Sequence, residues 1–326
     1  MNENLEELLE ASRRLSLKNF GRRIMFYAPS FIGYQNSHYR SPDMAFPSIS
    51  ITGSTCALKC KHCGGKVLKT MIPATNPKSL FDVCGRLREK GSTGCLISGG
   101  CLPDGSMPLE NFVDAIAHVK RVYGLTITIH TGIIGSRLAN GLRRAGVDTA
   151  LIDIIGSDDT IREIYGLNLT VEDYDLSLKA LHDSKIHFAP HIIVGLHYGK
   201  LKGEFNALKM VAKYKPSALV IIALIPLKGT PMEKTNPPTP EDIAKVMATA
   251  RIMLPETPLA LGCMRPTGEH RIKTDTLAVE AGVNAIAFPE DEAIDLAEFM
   301  GLRIEFSSKC CSQVYEDPLQ SQKINV

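Results

Sequence analysis

The sequence predicts an α/β fold in which eight parallel strands alternate with helices and wind into a (β/α)8 TIM-type barrel. Three observations predict it. Eight short apolar runs recur along the 326 residues, each bounded by Gly, Pro or polar residues. Segments of helical spacing separate them, which implies right-handed crossovers and a sheet buried on both faces. The third observation is negative. No Gly-x-Gly-x-x-Gly loop follows a strand, as an open dinucleotide-binding sheet would require, and the unit count of eight is that of a barrel.

The elements follow in order. A short amphipathic helix is expected over 3–16, within a lead-in of residues 1–45. The barrel is expected over 46–303, with strands in FPSISITG (46–53), GCLISGG (94–100), LTITIHT (125–131) and TALIDIIG (149–156). HFAPHIIVG (187–195), ALVIIALIP (218–226), PLALGCMRP (258–266) and NAIAFPE (284–290) complete the eight. PKSLFDVCGRLREKG, PLENFVDAIAHVKRVYG and PEDIAKVMATARIML carry helical periodicity, and Thr239-Pro240-Glu241-Asp242 is good first-turn chemistry. A polar C-terminal tail is expected over 304–326. No linker or low-complexity stretch asks for a second domain, so 1–326 reads as one.

Bulk properties narrow the partners. A net charge of +2 without a basic run does not suggest nucleic acid. No run of eighteen apolar residues suggests a membrane span, and MNENLEELLEASRRL lacks the pattern of a signal peptide. A cytoplasmic enzyme is the expectation. Nine cysteines in such a chain favour metal ligation or burial over disulfides.

Active sites of such barrels lie at the C-terminal ends of the strands. The first strand runs into Cys56, Cys60 and Cys63, spaced C-x3-C-x2-C with His62 before the last; the second ends in Gly99-Gly100-Cys101. His130 closes the third, the fourth carries Asp153, and the seventh delivers Cys263 and Arg265. Cys310 and Cys311 adjoin one another in the tail. Cys84 in mid-helix and Cys95 at the far end of the second strand read as small core residues. His130 and Asp153 also admit a bland reading, as satisfied polar groups of the barrel interior. Three thiols fall short of a closed structural zinc site, unless His62 or a distal cysteine completes one in a binding or scaffold protein.

C-x3-C-x2-C after the first barrel strand resembles the radical S-adenosylmethionine (SAM) enzymes. That resemblance implies that Cys56, Cys60 and Cys63 hold three irons of a [4Fe–4S] cluster, whose fourth iron is left to SAM. It implies that His62 packs near the adenine and that Gly99 and Gly100 meet the SAM amino group, with Cys101 standing where the family commonly has an acid. HIIVGLHYG and IPLKGTPME, with Gly229, Thr230 and Pro231, resemble stretches of the biotin-synthase-like branch. Biotin synthase holds a second cluster with cysteines on its second, third and fifth strands; the third and fifth strands here contain none. Bacterial lipoyl synthase uses an N-terminal cysteine cluster, which residues 1–55 lack.

The remaining thiols, Cys101, Cys263, Cys310 and Cys311, form the expected ligand set of an auxiliary [4Fe–4S] cluster that donates sulfur. The arrangement resembles archaeal two-component lipoyl synthases. The expectation is thiolation of an octanoyl chain on a carrier protein or peptide, with a ferredoxin-like electron donor and a paralogous radical SAM partner subunit. His130 and Asp153 are expected to orient SAM, Asp153 through the ribose hydroxyls. Arg265 is expected to pair with a SAM or substrate carboxylate. The alternative is another biotin-synthase-like reaction, such as methylation, rearrangement or cofactor maturation, without sulfur insertion.

Overall fold

The computed structural model describes residues 5–31 and 33–317. Residues 3 and 4 of the expected lead-in helix and 318–326 of the expected tail lie outside them. Eleven strands form one sheet, with every pairing between named strands parallel. They are β1 (Arg23–Tyr27), β2 (Ser48–Ser50), β3 (Ile72–Pro73), β4 (Gly94–Ser98), β5 (Thr126–His130) and β6 (Thr149–Asp153), followed by β7 (Phe188–Val194), β8 (Leu219–Ala223), β9 (Leu259–Leu261), β10 (Ala285–Ala287) and β11 (Arg303–Ser307). Their order is β11-β1-β10-β9-β8-β7-β6-β5-β4-β2-β3.

The eight apolar runs contain β2 and β4 to β10, so the α/β class and its strand–helix alternation stand. The sheet departs from a closed ring: β10 pairs with β1 instead of β2, β1 pairs with β11, and the sheet ends at β11 and β3. The lead-in and the tail therefore both contribute strands. A helix over Leu5–Phe20 precedes β1 and packs against those over Pro240–Met253 and Glu269–Glu280. No helix of the described residues is long and apolar enough to cross a membrane.

Period-2 alternation splits the buried residues into two sets. Ile24, Phe26, Ile97, Ile127, Ile152, Ile221 and Leu261 belong to the cluster that includes the apolar faces of the helices. The alternate residues, among them Met25, Tyr27, Leu96, Leu151, Ala189, Val220, Ala260, Ala285 and Ala287, meet on the inner side of the curled sheet. So many alanines leave space there, and Cys310, Cys311 and Val314 of the chain's C-terminal segment fill it. A single helical turn, Cys311–Gln313, lies inside the sheet. Tyr315 seals the N-terminal ends of β6 and β7: its hydroxyl bonds Thr149 Oγ1 at 2.8 Å and the Asp148 carbonyl at 3.1 Å, and its ring stacks on His187 at 4.9 Å.

Candidate metal and cofactor site

The loop leaving β2 is folded by its own hydrogen bonds. Thr52 Oγ1 donates to the Thr55 carbonyl at 2.8 Å and accepts the Gly100 amide at 2.7 Å, tying the loop to the end of β4. The amides of Cys63 and Gly64 return to the Cys60 carbonyl at 3.2 and 2.8 Å, a tight turn that follows Lys59 in the left-handed region (φ 48°). The ligand atoms of Cys60, His62 and Cys63 consequently lie within 4.8 Å of one another. Cys56 stands outside that triplet, against Gly65 and Gly100. A Cβ on Gly100 would come 2.1 Å from the Thr55 carbonyl oxygen and 2.6 Å from Cys56 Cα, so only glycine admits the loop at this distance.

The thiols perturb one another. A hydrogen bond from Cys60, and then His62, pull Cys63 down to about 4, while the same bond and burial push Cys60 up. Such a pair presents one thiolate at neutral pH, the form in which cysteine binds metal. The Cys56 charge is felt at both Cys60 and Cys101. A donor set of three cysteines around an accessible turn therefore fits the cluster that the sequence implied.

The surrounding strand ends complete a mouth. Burial first, and then the charges of Cys56 and Asp153, push Cys101 up to about 12. Asp153, at the end of β6, stands in register with His191 on β7, and its charge also reaches His130, Tyr165 and Tyr174. The His130 and His191 rings lie 5.6 Å apart. Burial lowers the pKa of both imidazoles, His191 to about 4, so both are neutral at physiological pH. The His62 ring sits 5.2 Å from that of Tyr165, and its Nδ1 is buried without a hydrogen-bond partner. Gly99 lies against Ile51 and Thr52, where an added Cβ would come within 3.1 Å of Ile51 Cγ1. The Gly229-Thr230 turn seats on the cysteine loop: a Cβ on Gly229 would come 2.5 Å from Lys66 Nζ.

A second group of thiols lies inside the sheet. Burial and then the charge of Cys310 push Cys263 up to about 11. The vicinal pair divides, with Cys310 brought down to about 7 by its bonds from Cys311 and Ser312, and Cys311 driven up. Ser312 Oγ donates to Cys310 Sγ at 3.1 Å.

Two sequence-based expectations change here. Cys101 does not join Cys263, Cys310 and Cys311; its neighbouring charges are Cys56, Asp153, Cys63 and Asp104, because the end of β4 packs on the cysteine loop. Arg265 has no donor left for a cofactor or substrate carboxylate. Fully buried, it directs Nε and Nη2 to Asp275 at 2.6 and 2.7 Å, Nη1 to the Gly262 and Ala287 carbonyls, both at 2.8 Å, and Nη2 to that of Phe288 at 3.1 Å. Those bonds engage all five guanidinium N–H groups.

Sequence reasoning missed His191, although its spacing of two from the inward Ala189 marked it, and Tyr165, which no signal marked. Cys84 and Cys95 are fully buried beside one another in the core, as expected.

Residues 50–200 match the family described as Radical SAM superfamily, and residues 221–316 match the Biotin and Thiamin Synthesis associated domain. The chain is 24% identical over 290 residues to biotin synthase of Aliivibrio fischeri (strain MJ11), covering 83% of this chain and 81% of that protein. It is 25% identical over 253 residues to the mitochondrial biotin synthase of Arabidopsis thaliana, covering 73% and 64%. Among solved structures, the [FeFe]-hydrogenase maturase HydG superimposes with a TM-score of 0.67 at 15% identity, over 97% of this chain and 71% of that one. Methylornithine synthase gives 0.61 at 16% identity, over 94% and 90%. These structures share the curled parallel sheet.

Proposed function

The chain belongs to the radical SAM superfamily, in its biotin-synthase-like branch, and from that premise we propose that it inserts sulfur into an unactivated C–H bond. The observation that carries this reading is the presence of two separate thiol groups, Cys56/Cys60/Cys63 on the loop after β2 and Cys263/Cys310/Cys311 inside the sheet. In this reading the first group holds the [4Fe–4S] cluster and leaves one iron to SAM. When bound, that cluster supplies the electron that cleaves SAM and so yields a radical able to take hydrogen from an unactivated carbon.

The chain's own residues bind, orient and enclose. His62 packs on the adenine, the backbone at Gly99 and Gly100 meets the amino group, and His130 and Asp153 orient the cofactor, Asp153 through the ribose hydroxyls. The second thiol group holds an auxiliary cluster as the sulfur source. The plug of Cys310–Val314, sealed by Tyr315, keeps water from reaching the radical through the N-terminal ends of the strands.

The substrate in this proposal is an octanoyl chain on a carrier protein or peptide, delivered with or without a paralogous partner subunit, so that the product is a lipoyl group. Supporting it, the inward positions of β4, β5 and β7 carry Leu96, Ser98, Thr128, His130, Ala189 and His191 and no thiol. The candidate sulfur source therefore sits elsewhere than in biotin synthase as the resemblance describes it. The second reading is the activity that the relatives are named for, favoured by their coverage of 83% and 73% of the chain.

The test uses anaerobically reconstituted protein, dithionite, SAM and an octanoyl-lysyl peptide. Mass spectrometry should find the thiolated peptide with wild type. Cys310→Ala should still form 5′-deoxyadenosine but no thiolated product. Full product from Cys310→Ala would remove the second thiol group as the sulfur source.

A further inference from the structure

Charge is distributed unevenly over this chain. Its overall balance is nearly even, with 37 Lys and Arg against 35 Asp and Glu, yet from Met44 to Phe81 there is no carboxylate side chain at all. The same stretch holds Lys59, Lys61, Lys66, Lys69 and Lys78, four of them on or just after the cysteine loop. Lys59, Lys66 and Lys69 are exposed, and among the described residues none of Lys59, Lys61, Lys66 and Lys69 makes an ion pair, whereas Lys78 is matched by Asp82. Two neighbouring loops extend the basic surface. Exposed Lys228 precedes the Gly229 turn that seats against Lys66, and exposed Lys200 follows Tyr198, whose hydroxyl accepts a 2.8 Å bond from Lys61 Nζ. Nearby acids are few: Asp159 is engaged by Lys202 and Arg162, and Glu233, which accepts the Gly229 amide, and Glu163 make no ion pair among the described residues.

We infer that this lysine rim is the docking face for an acidic, one-electron-donating protein. The inference rests on the proposed role of Cys56, Cys60 and Cys63 as cluster ligands, and it deepens that reading by assigning the partner a surface. Unneutralised like charges held together on one face repel each other, and proteins ordinarily intersperse the two signs on their surfaces. A one-sign patch of this kind steers a partner of opposite charge and raises its rate of encounter.

Its placement suits an electron donor better than a substrate carrier. Lys59 and Lys61 flank Cys60 directly, and Cys56 and Cys63 are half-buried just beneath the surface. A protein docked on this loop lies within a few residues of the thiolates. The balance of the step is simple. The donor is oxidised by one electron, and the S–C5′ bond of SAM breaks to give methionine and the 5′-deoxyadenosyl radical.

The test compares wild type with a Lys59→Glu/Lys69→Glu/Lys228→Glu variant, three exposed side chains without hydrogen-bond partners in the described structure. A purified acidic bacterial ferredoxin is the probe. Its binding to the metal-free proteins is measured at several salt concentrations, and SAM cleavage by the reconstituted proteins is driven either by reduced ferredoxin or by dithionite. The variant should bind ferredoxin about tenfold more weakly, or worse, and wild-type affinity should fall as salt rises. Ferredoxin-driven cleavage should fall by a similar factor while dithionite-driven cleavage is unchanged, which also shows that the variant is folded. Equal binding and equal ferredoxin-driven rates would overturn the inference. So would unchanged ferredoxin binding with lost binding of an acidic octanoylated carrier domain, which would give the face to the substrate's carrier. Failure of wild type to cleave SAM with dithionite would instead count against the cluster reading, since binding to the metal-free protein is measured independently.

Discussion

Arg265 and Asp275 are both fully buried, each with 0% side-chain exposure, in a bidentate pair. Removing one member of such a pair strands the other charge in a low-dielectric interior. Asp275→Ala should therefore destabilise the metal-free protein by about 3–5 kcal/mol in urea unfolding, without weakening SAM binding in whatever fraction remains folded. Stability near wild type together with lost SAM affinity would restore Arg265 as a ligand anchor. The position of Arg265 at a strand end was legible in the sequence; its occupation was not. That depends on Asp275, ten residues later on another element, and on three carbonyls from the ends of β9 and β10. The cysteines divide in the same way. Their number and the C-x3-C-x2-C spacing could be read directly, whereas the grouping of Cys101 with Cys56, and of Cys263 with the vicinal pair, follows from packing between distant segments.

Eight strands were legible because a parallel sheet covered on both faces must be apolar on both, and such runs stand out. The missed strands are those for which that reasoning fails. β3 has two residues, β11 is an edge strand of which no residue is fully buried, and β1 opens on the charged Arg22-Arg23 pair just after the Gly21 that ends its helix. The inward face of β5 and β7 gives a pH dependence. Burial holds His191 near 4 in the folded chain, against an ordinary value of 6.5. As pH falls from 6.5 towards 4 the unfolded chain takes a proton that the folded chain refuses, so stability is lost through that window and is fully present above it. At about 1.4 kcal/mol per pH unit, His191 alone should cost the metal-free protein about 2 kcal/mol between pH 7 and pH 5. His130, lowered by the same cause, acts in the same direction. His191→Gln should flatten the fall measured by urea unfolding at the two pH values; an unchanged slope would show that His191 is already solvated.

The described chain is a curled sheet that holds two separate groups of thiols. Loops at the C-terminal strand ends gather Cys56, Cys60, Cys63 and Cys101 with His62, His130 and Asp153, and the lysine rim surrounds the first of these loops. Leaving the C-terminal end of β11, the C-terminal segment turns into the space left by inward alanines and carries Cys310 and Cys311 to Cys263. Sulfur insertion by this chain requires that these be two metal sites and not one. Iron and sulfide per chain, determined after anaerobic reconstitution of wild type and of the Cys56→Ala/Cys60→Ala/Cys63→Ala protein, test that directly. Two clusters predict about eight irons in wild type and about four retained in the triple variant, whereas a triple variant holding no iron above background would contradict the second site.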